Sequence, residues 1–292
     1  MKSFLSLLAG FGMIVGMVTV AAAGDQDATI RAGGSTTLLP IMANCSSEFM
    51  EKYQTWDRLD AALPKSTTTV FVTGGGSGFG VKSLLSGVVD IGMVSRDLKD
   101  QEKKLLGEHQ SHVVGKDAVA IAVNTRNPLA GRKKAFTAAE LAAIFSGEIK
   151  SYQELDRSLP AKPVVLLTRD SGAGSTEIFQ EKIMGEKKFS PKALQLPSQG
   201  ALLEKLQTNS NAIAYISSGL ALNNKNLKAF ALENTAPTDD NVTKGVYPLA
   251  RPLLMVVKGA PAPEVRHFVN YVLNSCQKIV VAHGYVPSRS IN

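Results

Sequence analysis

Three glycine-rich turns contain the residues of this sequence that could do chemistry. They occupy positions 33–38, 74–80 and 170–176, and each lies between an apolar run and an amphipathic run. Where a helix follows such a turn, its first backbone N–H groups have no partner within the helix and carry a partial positive charge. Glycine lets a ligand approach the backbone, and Ser and Thr hydroxyls add donors. Each turn is therefore typical of a site for an anion such as phosphate or sulfate.

An arginine strengthens this interpretation. Arg169 directly precedes the third turn and follows the apolar run 164–167. Its guanidinium is a planar fork of donors suited to two oxygens of a tetrahedral oxyanion, and open parallel sheets place their ligands at the carboxyl ends of strands. One turn alone could be only a helix cap, and Arg169 could form only a surface salt bridge. Three turns together with the arginine favour an anion site.

The second turn does not match the motifs of nucleotide enzymes or serine hydrolases. Gly75 and Gly80 have the spacing of an NTPase phosphate loop, but Val81 stands where that motif needs Lys. Phe79 replaces both the third glycine of a dinucleotide fingerprint and the last glycine of a Gly-x-Ser-x-Gly elbow around Ser77. A secreted phosphatase would need an activated nucleophile or a two-metal cluster, and the sequence shows neither grouping. We therefore expect a binding protein without a cofactor rather than an enzyme.

Composition excludes several other classes. Aromatic residues make up 6% of the 292 residues, with one Trp, which argues against a nucleic-acid or sugar binder that works by stacking. The net charge is +7, but the basic triplet at 132–134 is typical of a solvated turn. His109 and His112 lack neighbouring carboxylates or cysteines, so we expect no metal site there.

The N-terminus predicts export. Lys2, the apolar run 4–20 and the alanines at 21–23 form the pattern of a signal peptide cleaved after residue 23. The alternative is a membrane anchor, because a run of this length could just span a bilayer. In an oxidising compartment Cys45 and Cys276 could form a disulfide or remain two buried thiols.

The rest of the chain alternates short strands with amphipathic helices. Strands are predicted at 28–32, 68–72, 90–94, 118–124, 164–167, 212–216 and 253–257, and helices at 39–53, 81–85, 137–145, 176–184, 201–207 and 264–283. Thr137 and Glu140 form a capping box at the start of one helix. The stretch 126–134 predicts an exposed loop, and the polar, Asn-rich stretch 220–245 carries no predicted element. Alternation of this kind indicates an α/β architecture with largely parallel sheets.

An ordered set of motifs resembles the phosphate-binding proteins of ABC phosphate importers, within the periplasmic substrate-binding superfamily. The matching blocks lie at 34–38, 72–78, 90–96, 120–124, 127–128, 136–147, 169–175, 247–253 and 283–287. Each block is weak by itself, but the ordered set covers nearly all of the chain after residue 23.

This resemblance implies a two-lobed periplasmic-binding-protein fold of type II. Each lobe would be a mainly parallel sheet flanked by helices, joined to the other by crossover strands. Lobe I would combine 24–116 with 246–292, and lobe II would be 117–245. Cys45 and Cys276 would then share lobe I, which favours a disulfide. A periplasmic location, a monomeric state and the membrane subunits of an ABC permease as partners are also implied.

The resemblance also implies the ligand set. Lobe I would supply Thr36, Thr37, Ser77 and Ser95, and lobe II would supply Arg169, Ser171, Ala173, Gly174 and Ser175. Ser95 and Ser171 stand where the family often has Asp, so another tetrahedral oxyanion such as sulfate remains an alternative to inorganic phosphate. A module for ligand sensing or adhesion also remains an alternative to a transport receptor.

Overall fold

The computed structural model of the protein describes residues 28–290. The predicted signal peptide, 1–23, lies outside the described residues. Across 28–290, no helix combines the length and the hydrophobicity needed to cross a bilayer.

Eleven strands are present in the described part of the chain. They are β1 (Thr29–Gly34), β2 (Thr69–Gly74), β3 (Ile91–Val94), β4 (His109–Asn124), β5 (Ala135–Phe136), β6 (Val165–Arg169), β7 (Leu194–Leu196), β8 (Ala212–Ser217), β9 (Leu227–Leu232), β10 (Ala250–Lys258) and β11 (Val286–Pro287). All seven predicted strands are found, and the one predicted at 118–124 begins nine residues earlier, at His109.

The helices alternate with these strands. They are α1 (Leu39–Tyr53), α2 (Ser77–Leu85), α3 (Asp100–Leu106), α4 (Ala138–Ser146), α5 (Tyr152–Leu155), α6 (Gly174–Phe179), α7 (Gln199–Thr208), α8 (Ser218–Leu222), α9 (Asp239–Thr243), α10 (Pro263–Ser275) and α11 (Gln277–Ala282). A 3₁₀ turn covers Trp56–Arg58, and α6 continues as a π-helix over Gln180–Met184. The predicted capping box is confirmed, because Thr137 and Glu140 bond reciprocally at the start of α4.

The strands form two lobes that share β4. In the first lobe the strand order is β2-β1-β3-β10-β4, and in the second it is β4-β8-β6-β7 with β9 also paired to β4. The outer strands of each lobe run parallel, whereas β10 and β4 at the crossing are antiparallel to their neighbours. The two-lobed α/β fold is therefore confirmed, and parallel pairing occupies the parts of each sheet that lead into the glycine-rich turns.

Each lobe has its own hydrophobic core. Phe49, Trp56 and Phe268 pack in the first lobe, whereas Phe145 and Phe179 pack in the second. The first core draws on residues before Gly115 and after Pro252, and the second on residues between Asp117 and Ala250. The division agrees with the predicted boundary at 116/117, but Tyr247 and Leu249, predicted in lobe I, pack in the second core. The predicted lobe bounds, 24–116 with 246–292 and 117–245, stay a prediction.

The elements α3, α5, β5, β7 and β11 lie where the sequence predicts none, and two other parts of the chain also differ from the prediction. The polar stretch 220–245 contains β9 and α9. Leu227, Phe230 and Leu232 of β9 are buried against the second lobe while Lys228 is exposed, and Val242 of α9 is buried in the second core. The helix predicted at 264–283 is two helices, with Cys276 as the residue between α10 and α11.

Cys45 and Cys276 form a disulfide in the first lobe. Cys45 lies on α1 and Cys276 follows α10, with a Cα–Cα distance of 5.9 Å, which is typical of a disulfide. The two cysteines are 231 residues apart in the chain, and both are fully buried. The bond therefore links the two chain segments that build the first lobe.

Removal of this bond is expected to destabilise the protein by about 2 to 5 kcal/mol, because it would release a long closed loop in the unfolded chain. The measurement is urea unfolding of the oxidised protein with and without a reductant. The double variant Cys45→Ala/Cys276→Ala is the control and should not respond to reductant. Identical unfolding curves for the oxidised wild-type protein in both conditions would mean that the two cysteines do not pair.

Candidate anion-binding site

A small cavity lies between the lobes where the three glycine-rich turns meet. Its empty volume is about 150 Å³. It is lined by Ser35, Thr36, Thr37, Gly76, Ser77, Ser95, Arg169, Ala173, Gly174, Ser175 and Gln199. This volume includes space open to solvent and is still below the roughly 300 to 1,000 Å³ of sites for drug-sized ligands, so the cavity excludes a ligand of that size.

The turns carry backbone donors to the cavity because each follows a strand and opens a helix. Strand β1 leads to α1, β2 leads to α2 and β6 leads to α6. In the described residues no side chain caps the first N–H groups of these three helices. The helix N-termini therefore bring the positive ends of their dipoles to the cavity, although the N–H groups of Leu39 and Gly78 already bond the carbonyl oxygens of Ser35 and Gly172.

Arg169 is the charged group of the cavity and joins the two lobes. Its side chain is 1% exposed. Nη1 donates to Thr36 Oγ1 across the cleft at 2.7 Å, while Nε and Nη2 donate to the carbonyl oxygens of Leu196 and Pro197. Nη2 also donates to Asp170 at 3.1 Å. A guanidinium has five N–H donors, so one on Nη1 is left without a partner among the described residues.

The surroundings of Arg169 fix its backbone as well. Its N–H donates to the Tyr215 hydroxyl, which also bonds Thr176. Burial raises the pKa of Tyr215 to about 12, so this phenol stays neutral. Burial lowers the pKa of Arg169, and the neighbouring Asp170 partly offsets that effect. Arginine nevertheless stays protonated, because its ordinary pKa is above 12.

A second buried arginine supports the first-lobe side of the cavity. Arg251 on β10 pairs in register with Asp117 on β4, and both side chains are fully buried. Arg251 donates to Asp117 through Nε and Nη2, to Ser95 through Nη1 and to Thr37 Oγ1 through Nη2. The ion pair of the crossover strands therefore positions two hydroxyls that line the cavity.

The remaining hydroxyls are held by neighbouring donors. Ser77 Oγ accepts from the Ser95 N–H at 3.0 Å and lies 3.3 Å from Ser95 Oγ. Gln199 Nε2 donates to Ser175 Oγ at 3.2 Å, and the Gln199 N–H donates to Thr36 Oγ1 at 3.4 Å.

The lobes are in direct contact beside the cavity. The Gly78 N–H donates to the Gly172 carbonyl oxygen at 3.0 Å, and a Cβ on Gly76 would lie 2.7 Å from that same oxygen. Gly76 also has φ +88°, a conformation that favours glycine. The second glycine-rich turn therefore meets the third without intervening side chains.

A cluster of charged residues also crosses the cleft. Arg96 in the first lobe donates to Glu177 on α6 at 2.5 Å and binds Glu102 on α3 through both terminal nitrogens. Lys99 also bonds Glu177. Burial alone would lower the pKa of Arg96, but its bonds to Glu102 and Glu177 outweigh that effect and raise it. This cluster favours the arrangement in which the lobes are closed.

The structure brings together eight of the nine predicted ligand residues: Thr36, Thr37, Ser77, Ser95, Arg169, Ala173, Gly174 and Ser175 all line the cavity. Ser171 does not. It is exposed and lines a neighbouring cleft, because the turn closed by the Gly172 N–H and Asp170 directs the later residues inwards. Within 28–290 no cluster of His, Cys, Asp and Glu could hold a metal ion.

Sequence reasoning missed Gln199, Arg251 and Asp117. Arg251 lies in a motif block that was recognised, but its chemistry depends on Asp117, 134 positions away. The pair could have been predicted from the charged residue that directly precedes each of the apolar runs 118–123 and 252–257. Gln199 opens α7 and offers no comparable signal.

Comparison with known proteins places these features in a family. The family described as "PBP superfamily domain" matches residues 19–275. The chain is 26% identical over 277 residues to the phosphate-binding protein PstS of Staphylococcus epidermidis, covering 90% of this chain and 80% of that protein. It is 28% identical over 282 residues to protein SphX of Synechococcus elongatus, covering 91% of this chain and 79% of that one.

Solved structures agree with this relationship. A putative phosphate ABC transporter substrate-binding protein from Clostridium perfringens, solved with bound phosphate, superposes with a TM-score of 0.76 at 25% identity, covering 90% of this chain and all of that one. An ABC-type phosphate transport receptor from Vibrio cholerae gives a TM-score of 0.68 at 27% identity, covering 88% and 99% of the two chains. The chain belongs to the PBP superfamily of two-lobed substrate-binding domains.

Proposed function

We propose that this protein captures inorganic phosphate between its lobes and delivers it to an ABC importer. The observation that carries the proposal is the small cavity whose buried Arg169 bonds both lobes and has one N–H without a partner among the described residues. Helix N-termini and hydroxyls supply the other donors. The names of the Staphylococcus and Clostridium relatives support phosphate as the ligand.

The same site favours binding over catalysis. The cavity contains serine and threonine hydroxyls, but none of its described lining residues is a histidine or a carboxylate that could activate one of them. A bound anion would therefore be held by donors and released unchanged when the lobes open. We accordingly propose a receptor without enzymatic activity.

Location and partners complete the proposal. The signal-peptide pattern at 1–23 supports a receptor that is exported and cleaved, acting in the periplasm as a monomer. Its partners would be the membrane subunits of an ABC permease, as the name of the Vibrio cholerae relative suggests. Closure of the lobes around the ion would give the permease a surface to distinguish loaded from empty receptor.

Replacement of Arg169 by alanine should weaken phosphate binding by at least about thirtyfold. The change removes the one buried charge that faces the ligand and leaves Thr36 and Asp170 without their partner. Isothermal titration of protein freed of phosphate measures the effect. Arg132→Ala, at an exposed position, is the matched control and should bind like the wild type. Unchanged affinity in Arg169→Ala would contradict the proposed site.

Replacement of Glu177 by glutamine should speed phosphate release and weaken affinity by about three- to thirtyfold, because only the closed lobes bring Glu177 to Arg96 and Lys99. Stopped-flow displacement of bound phosphate measures release. Glu102→Gln is the control: Glu102 also binds Arg96, but from within the same lobe, so it should alter stability rather than release. Equal release rates for the two variants would argue against a closure role for Glu177.

A further inference from the structure

The hydroxyls of the cavity differ in how much of their bonding capacity the protein already uses. A Ser or Thr hydroxyl has one proton to donate and two lone pairs that accept. Thr36 Oγ1 accepts from Arg169 Nη1 and from the Gln199 N–H, so both of its lone pairs are used. Its proton is the only group that it can offer to a ligand. Thr36 is therefore a donor to the cavity.

Two more hydroxyls are biased in the same direction. Thr37 Oγ1 accepts from Arg251 Nη2, and Ser175 Oγ accepts from Gln199 Nε2, each at 3.2 Å. The amide orientation of Gln199 follows from its contacts, because its Oε1 accepts from the Ser217 N–H. Because each oxygen accepts a hydrogen bond from an N–H group on one side, its own proton is favoured on the other side, towards the cavity.

Ser77 and Ser95 behave differently because their hydroxyls bond each other. Ser77 Oγ accepts from the Ser95 N–H, Ser95 Oγ accepts from Arg251 Nη1, and either hydroxyl can donate to the other. If Ser95 donates, Ser77 keeps a proton and Ser95 keeps a lone pair. If Ser77 donates, the roles are reversed. In both arrangements the pair retains one donor and one acceptor for the ligand.

No negative charge competes with this pair in the described part of the cavity. The oxygens of Asp117 accept from Arg251, Ser217 and Ser218 and are fully buried behind the site. Asp170 accepts from Arg169 and the Gly172 N–H and does not line the cavity. Among residues 28–290, the groups that line the cavity are thus uncharged apart from Arg169.

We infer that the Ser77–Ser95 hydroxyl pair allows this receptor to bind tetrahedral dianions both with and without a proton. A protonated oxygen, as in hydrogen phosphate, meets the lone pair, and an unprotonated oxygen, as in sulfate, meets the proton. Rotation of the two hydroxyls exchanges which serine offers the proton and which offers the lone pair, without moving a heavy atom. This inference rests on the proposed function, and it adds sulfate to the ions that the cavity binds.

The first experiment compares phosphate and sulfate on the wild-type protein. Isothermal titration is performed with each anion at one slightly alkaline pH, where phosphate is a dianion. We expect the two dissociation constants to lie within about tenfold of each other, the difference of about one neutral hydrogen bond. A sulfate affinity more than about a hundredfold weaker than that for phosphate overturns the inference. A protein that binds neither anion contradicts the proposed function instead.

The second experiment places a charge in the pair. In Ser95→Asp the carboxylate would face Arg251 and the cavity, accept the proton of hydrogen phosphate and repel sulfate. The ratio of sulfate to phosphate dissociation constants should rise by about a hundredfold or more. An unchanged ratio in the folded variant overturns the inference, and the wild-type comparison decides it if the variant does not fold.

Ser175→Ala is the matched control because it removes a cavity hydroxyl outside the pair. It should weaken both anions by a similar factor, of about tenfold or less, and leave their ratio unchanged. A change of ratio in Ser175→Ala as large as that in Ser95→Asp would show that the pair has no special role.

Discussion

Burying a guanidinium is costly unless its N–H groups are paired, and Arg169 is buried in the cleft between the lobes. The contacts of its side chain come from three places: the ends of β7 and β6 in the second lobe and Thr36 in the first. The contact with Thr36 joins the second lobe to the first across the cleft. Pairing of one side chain thus couples the position of the lobes to the electrostatics of the cavity.

The crossover strands extend this coupling behind the cavity. Arg251 and Asp117 face each other on β10 and β4, which join the lobes, and Arg251 also bonds Thr37 and Ser95. A buried ion pair of this kind gains little net stability, because desolvation offsets the attraction between the charges. The ion pair instead fixes positions: through Arg251 it holds the Thr37 and Ser95 hydroxyls next to the two strands that join the lobes.

Much of the fold and site could be predicted because the relevant signals are local. Each glycine-rich turn is contiguous, α1 has the bounds that the sequence indicates, and Arg169 adjoins its turn. The features that were missed depend on contacts between distant residues. Asp117 bonds Arg251 because β4 and β10 are neighbouring strands. Phe230 is buried because β9 pairs with β4. Ser171 was misplaced relative to the cavity because turn geometry, rather than residue type, directs its side chain.

Two glycines determine how closely the lobes approach. Gly76 faces the Gly172 carbonyl oxygen, and a Cβ at Gly174 would lie 2.5 Å from Ser77 Oγ and 2.8 Å from Ser95 Oγ. A side chain at either position would require these atoms to shift, and a shift that parts the lobes would admit water to the cavity. Water would then screen the interaction between Arg169 and an anion. In the described cleft, the lack of a Cβ at Gly76 and Gly174 thus helps to exclude water from the place where an anion would lie, which lowers the local dielectric constant.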